Sequence, residues 1–65
     1  MGGTFVSNIQ LAANLRRLRN DHNYTQMQIG GKLNISRQAY SNYETGKRIP
    51  DIDMLIRIAD IYHVT

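Results

Sequence analysis

Apolar residues along this chain recur with the spacing of helices, and capping and stop signals divide the pattern into four segments. Leu11, Leu15, Leu18 and His22 stand three or four residues apart with Ala12 and Arg19 beside them, which gives a first helix one apolar face. Ser7, followed three residues later by Gln10, has the spacing of a capping box at its start, and Asn23 suits the left-handed residue that ends it. Thr25 and Gln28 repeat that spacing and open a short second helix with Ile29 and Leu33 inward and Asn34 as its stop. Ser36 caps a third helix that carries Ala39, Tyr40 and Tyr43 inward and ends at Thr45-Gly46. After the loop Lys47-Arg48-Ile49-Pro50, Asp51 caps a fourth, with Ile52, Leu55, Ile58, Ala59 and Tyr62 on one side. Nothing alternates with period two over the length of a strand. The pattern predicts an all-α domain over residues 7–65 behind a disordered lead-in at 1–6, without repeats or low-complexity tracts.

Length and composition narrow the possibilities. At 65 residues and 42% apolar, the chain can build one modest core but not two lobes with a cleft between them. With no cysteine, disulfides, Fe–S clusters and cysteine-ligated zinc are excluded, and a reducing cytoplasm is the expected compartment. The N-terminus lacks the basic and apolar regions of a signal peptide, Val6 stands where a myristoylation signal needs Ser or Thr, and no apolar run approaches a membrane span. The sequons Asn23-Tyr24-Thr25 and Asn34-Ile35-Ser36 are therefore read as chance. No phosphate-binding glycine loop and no nucleophile–base pairing is present, so neither catalysis nor a cofactor is expected. His22 and His63 are too isolated to suggest a shared metal, and His22 better suits a helix C-terminus. Tyr24, Tyr40, Tyr43 and Tyr62 fall at core-type positions, with hydroxyls expected to reach water.

The formal charge of +3 is mild, but its distribution is uneven. Residues 1–50 hold seven basic and two acidic side chains, whereas 51–65 hold one and three. The positive charge therefore belongs to the first three helices and the loop after them, with a net-acidic fourth helix behind.

Between Leu33 and Ser36 the linker is only Asn34-Ile35, so the second and third helices must meet across a tight turn. Gly30 supplies the small residue where they cross, and Asn34 tolerates the positive φ of the turn. Two short helices so joined form a helix-turn-helix unit at 26–45. That unit, with Leu15-Arg16-Arg17-Leu18-Arg19 before it and Tyr43-Glu44-Thr45-Gly46-Lys47-Arg48-Ile49-Pro50 at its end, resembles the phage repressor and Cro family, also called the XRE family. The likeness covers about residues 9–65.

The resemblance implies a lambda-repressor-like fold of four helices, five in a longer chain, and sequence-specific binding of double-stranded DNA by a transcriptional regulator, most simply a repressor. Helix 36–45 would enter the major groove. Arg37, Gln38, Ser41 and Asn42 match the base-reading positions, and their chemistry agrees: Arg pairs with guanine, and Gln or Asn with adenine. Gln26, Thr45, Lys47 and Arg48 match phosphate-contacting positions, Gln26 also bracing the first reading residue, here Arg37. Arg19 and Glu44 match a partly buried ion pair between the first and third helices. Arg16 and Arg17 are expected to be solvated. The implied partners are a palindromic operator and a second copy of the chain in a homodimer on DNA, with no membrane, in a cytoplasmic, nucleoid-associated setting.

Plainer readings stand beside these: a solvated polar face, a capping role for Gln26, a solvated basic loop at Lys47-Arg48, and a surface pair worth under about 1 kcal/mol for Arg19–Glu44. A different class, a protein-interaction module or antitoxin with DNA binding secondary, also fits the fold. The chain departs from the family pattern at Gly30, where Ala is usual and where Gly31 follows, so the second helix is expected to be soft by up to about 2 kcal/mol. Tyr40 is bulkier than the usual Ile or Val, which predicts a tilted recognition helix, and Thr45 replaces the common Asn. Relative to the family the chain also stands about one helix short, as a minimal member or as a piece of a longer regulator with a C-terminal domain.

Overall fold

A computed structural model describes residues 8–63, with side chains from residue 10 onward. Four helices make up the described region: α1 (Asn8–Asp21), α2 (Gln26–Lys32), α3 (Arg37–Glu44) and α4 (Ile52–Tyr62). The Ser7 cap and the 1–6 lead-in lie outside the described residues.

The starts of α2, α3 and α4, and the exits of all four helices, have local chemical causes. Thr25 and Gln28 form a complete capping box: the Gln28 N–H donates to Thr25 Oγ1 at 3.0 Å and the Thr25 N–H to Gln28 Oε1 at 2.9 Å. Ser36 Oγ accepts from the Ala39 N–H and Asp51 Oδ1 from the Met54 N–H, satisfying donors that a helix start leaves free. Asn23, Asn34 and Gly46 carry positive φ (61°, 60° and 78°) where the chain leaves α1, α2 and α3. His63 does the same after α4, at φ 56°. Asn tolerates this region because its short amide bonds locally.

The turn between α2 and α3 is closed by backbone bonds from the Asn34 N–H to the Gly31 carbonyl and from the Ile35 N–H to the Gly30 carbonyl. A Cβ placed on Gly30 would stand 3.2 Å from the Ile35 carbonyl oxygen and 3.4 Å from that of Ser36, so the absent side chain lets the start of α3 lie against α2. Gly31 has no such neighbour and faces open space.

Leu15, Ile29, Leu33, Tyr40, Ile58 and Tyr62 form the buried cluster, at least one from each helix with Leu33 from the C-cap of α2, and Leu11, Leu18, Tyr24, Ile35, Tyr43, Met54 and Ile61 pack around it. Ala12 is buried as well. α3 lies against both α1 and α2. α4 is drawn in through Ile58 and Tyr62, and Arg57 ties it to α2 by donating to the Leu33 carbonyl at 2.6 Å.

In three places the structure differs from the sequence pattern. Ile52 is not on the inward side of α4; it is 75% exposed. The buried stripe is centred on Ile58 and Tyr62, and at 3.6 residues per turn Ile52 lies roughly 100° away from that centre. Met54 and Ile61 take the inward flank instead. The hydroxyls of Tyr40 and Tyr62 do not reach water: both are buried, and neither has a partner at hydrogen-bond geometry. Burial accordingly pushes both phenols above their usual range. Arg16 is not merely solvated; its Nη2 donates to the Glu44 carbonyl at 3.2 Å, satisfying one of the carbonyls that the end of α3 leaves free.

His22, at the end of α1, places Nδ1 2.9 Å from the Leu18 carbonyl, and its ring sits 4.8 Å from that of Tyr62. Tyr24 completes this aromatic group, with Lys32 Nζ 5.2 Å from its ring centre. No described helix is long and apolar enough to cross a membrane.

Candidate nucleic-acid interface

α3 has two unlike sides. Tyr40 and Glu44 point into the protein and are buried, whereas Arg37 and Gln38, in its first turn, are exposed. Ser41 and Asn42, one turn on, are half-buried beside them. The Ser36 cap and the turn through Asn34 set this phase, since together they fix where the helix begins and which residues its first turn offers to solvent.

The polar residues here are connected. Gln38 Nε2 lies 3.5 Å from Asn42 Oδ1, an i,i+4 pair along the exposed face. Gln26, half-buried at the start of α2, donates from Nε2 to Glu44 Oε1 at 3.1 Å, and its Oε1 accepts from Arg37 Nη1 at 3.4 Å. Behind them Arg19 holds Glu44 in a two-point grip, Nε to Oε2 at 2.5 Å and Nη2 to Oε1 at 3.1 Å. A third Arg19 donor reaches the Tyr24 carbonyl at 2.9 Å.

The Glu44 side chain is only 3% exposed and that of Arg19 15%, so the pair is interior. Removing one partner from such a pair typically costs about 3–5 kcal/mol, because it strands a buried charge. Burial by itself would raise the Glu44 carboxyl. The Arg19 guanidinium, the adjacent Tyr40 hydroxyl and the Gln26 amide outweigh that and hold it below the usual carboxylate range. Tyr40 Oη contributes as a nearby dipole without reaching hydrogen-bond geometry. Arg19 is held above its ordinary value by the hydrogen bond to Glu44.

The loop after α3 is shaped by backbone contacts. Gly46 turns the chain with φ 78°, and the Arg48 N–H returns to the Asn42 carbonyl at 3.1 Å. Lys47 and Arg48 are exposed next to the open side of α3, and neither side chain has a partner among the described residues. With Arg37 they leave this side basic, since Glu44 is neutralised inside by Arg19. Thr45 is exposed, but its hydroxyl donates back to the carbonyls of Ser41 or Asn42 at 3.2 and 3.3 Å. A phosphate oxygen only accepts, so a contact to one would require that proton to leave the helix.

The structure thus brings Arg37, Gln38, Ser41, Asn42, Lys47 and Arg48 to one side, with Gln26 at its edge and Arg19–Glu44 beneath it. Two further residues, Arg16 and Arg57, hold this arrangement by donating to the exit carbonyls of α3 and α2. Arg57 carried one signal in the sequence, as the only basic residue in a net-acidic segment. Among the described residues no pocket opens and no group of three or more His, Asp or Glu gathers as a metal site. The chemistry on offer is that of an exposed, hydrogen-bonding, positively charged surface.

Comparison with known proteins agrees with this architecture. The helix-turn-helix family model matches residues 15–65. The HTH-type transcriptional regulator ImmR of Bacillus subtilis (strain 168) is 37% identical over 57 residues, which cover 88% of this chain and 45% of ImmR. YqaE of the same organism, named as an uncharacterized HTH-type transcriptional regulator, is 42% identical over 52 residues, 80% of this chain and 45% of YqaE. YonR, named as an SPbeta prophage-derived uncharacterized HTH-type transcriptional regulator, is 35% identical over 51 residues, 78% of this chain and 47% of its own length. The chain therefore spans about half the length of the curated relatives it matches. No solved structure matches it.

Proposed function

Because the chain belongs to the helix-turn-helix family of phage repressor and Cro (XRE) type, we propose that it is a sequence-specific double-stranded DNA-binding unit of a transcriptional regulator, acting as a repressor. The observation that carries this reading is the open side of α3, where Arg37 and Gln38 face solvent beside the unpartnered Lys47 and Arg48 while the opposite side of the helix is locked in the core. α3 enters the major groove; Arg37, Gln38, Ser41 and Asn42 read base edges, and Gln26, Lys47 and Arg48 hold phosphates. Thr45 joins the phosphate contacts once its hydroxyl proton leaves the helix carbonyls.

Two copies on a palindromic operator, with half-sites about one helical turn apart, complete the binding unit. Selection of binding sites from a random duplex pool, followed by titration at several salt concentrations, tests it. If a dimer neutralises about six phosphates, log K falls against log salt with a slope near −5. Arg37→Ala lowers affinity by roughly 1–3 kcal/mol and relaxes choice at one base pair, whereas Lys47→Ala weakens all duplexes alike. Failure to enrich any sequence, together with an affinity insensitive to salt, refutes the reading.

A second reading is favoured by a separate observation. Ile52 and Ile56, one turn apart on α4, are 75% and 56% exposed, and Ile49 in the loop before it is 58% exposed, apolar side chains of the kind that a protein partner covers. An antitoxin-like role would use them with DNA binding secondary. Competition with random duplex separates the two, because a protein-interaction module shows no preference for a selected site.

A further inference from the structure

Gln26 is the joint between the interior and the exposed end of α3. On one side it meets Glu44, which as a carboxylate can only accept hydrogen bonds; on the other it meets Arg37, whose guanidinium can only donate. The two ends of the Gln26 amide are therefore not interchangeable. With its NH2 toward Glu44 and its carbonyl toward Arg37 both contacts are attractive. Turned by half a rotation, the carbonyl would face a carboxylate and the NH2 a guanidinium, and both would be repulsive. Glu44 is in turn immobilised by Arg19 and shielded from water, so its acceptor edge is a fixed feature of the fold.

We propose that Glu44 is a positioning residue for base reading: it sets the direction of the Gln26 amide, which then holds one N–H of Arg37 and turns the rest of the guanidinium fork outward. The relay Arg19–Glu44–Gln26–Arg37 links α1, α3 and α2 to the first exposed residue of the recognition helix. It ties the orientation of a solvent-facing side chain to a buried ion pair, and a long side chain on an open helix face otherwise samples several rotamers. The inference rests on the proposed role of Arg37, and its test separates the two.

The first measurement needs no DNA. In the free wild-type protein the Gln26 side-chain amide protons should be shifted from free-amide positions and slowed in exchange, and in Glu44→Gln the shift should collapse. Free-amide behaviour in the wild type overturns the proposal whether or not the variant folds. The second measurement uses a duplex selected by the wild-type protein and one changed at the base pair that Arg37→Ala relaxes. Gln26→Met, which leaves Arg19–Glu44 intact, and Glu44→Gln should each reduce the preference between these duplexes roughly threefold to tenfold, the size of one lost hydrogen bond. The double variant should lose no more than Gln26→Met alone. A purely structural Glu44 gives weaker binding to both duplexes with the preference intact, and that outcome overturns the proposal. A wild-type protein that shows no preference at all refutes the base-reading role itself, while the amide measurement still decides the orientation of Gln26.

Discussion

Gly31→Ala isolates the energetic cost of the glycine pair in α2. Gly31 is exposed in the second half of the helix, without positive φ, and a Cβ built on it meets nothing within 4 Å. No contact is gained or lost, so the effect comes from backbone entropy, since alanine has fewer unfolded conformations to surrender and a better helix propensity. The full gain in a helix interior is about 1 kcal/mol; near the end of a seven-residue helix we expect about 0.5–1 kcal/mol. For a domain of this size that raises the melting temperature by roughly 2–8 °C. Gly30→Ala carries the same entropic gain, but its Cβ would press on the Ile35 carbonyl at 3.2 Å. Easing that contact requires the turn to move, so Gly30→Ala should gain nothing or lose stability. Urea unfolding followed by circular dichroism, with unchanged m-values as the check on the unfolded state, compares the two. Equal stabilisation by both, or destabilisation by Gly31→Ala, would refute the reasoning.

Other expectations follow from the interior. Because Glu44 is held below the ordinary carboxylate range, the unfolded chain takes up its proton first; its contribution is present above the unfolded value near 4.5 and is lost as pH falls through the folded one, so melting temperature should drop in acid, and more steeply than in Glu44→Gln. Tyr40 and Tyr62 are raised from 10.0, so their contribution is complete below that pH and fades above it; tyrosinate absorbance should show part of the phenols ionising only as helicity is lost. Tyr62→Phe removes a buried hydroxyl without a hydrogen-bond partner and should be neutral or stabilising by up to about 1 kcal/mol in urea unfolding; a loss above about 1 kcal/mol would mean that the hydroxyl is bonded. In hydrogen exchange, the α2 amides should open with lower protection than those of α3, and full protection of α2 contradicts the cost assigned to its glycines.

Much of this structure was legible because its boundaries are written in local chemistry. Thr25, Ser36 and Asp51 cap by bonds between neighbours, and Asn23, Asn34 and Gly46 take conformations that few residues accept, so spacing alone located the described helices. The core positions of α1, α2 and α3 followed from helical period. Ile52 falls outside the buried stripe because α4 is apolar on more than one side, and only the tertiary partners of Ile58 and Tyr62 decide which side turns in. The Arg16 and Arg57 bonds were not legible, since a long basic side chain finds a distant carbonyl only after the helices have packed. The same holds for the buried Tyr40 and Tyr62 hydroxyls, whose access to water depends on how deeply the rings sink. The exposed side of α3 could be read from Ser36 onward, but the orientation of the Gln26 amide needed the fold.

The bond from the Arg48 N–H to the Asn42 carbonyl has a mechanical meaning. It ties the backbone of the basic loop to the far end of α3, with Gly46 as the elbow that allows it. On the proposed binding mode, the backbone positions that carry the groove-reading and backbone-gripping side chains are then coupled, and only the rotamers of Lys47 and Arg48 adjust the reach between them. A duplex whose groove is too wide or too narrow at that point must deform to fit, and the energy of that deformation depends on its sequence. The protein would then discriminate among operators at base pairs that none of its side chains touches.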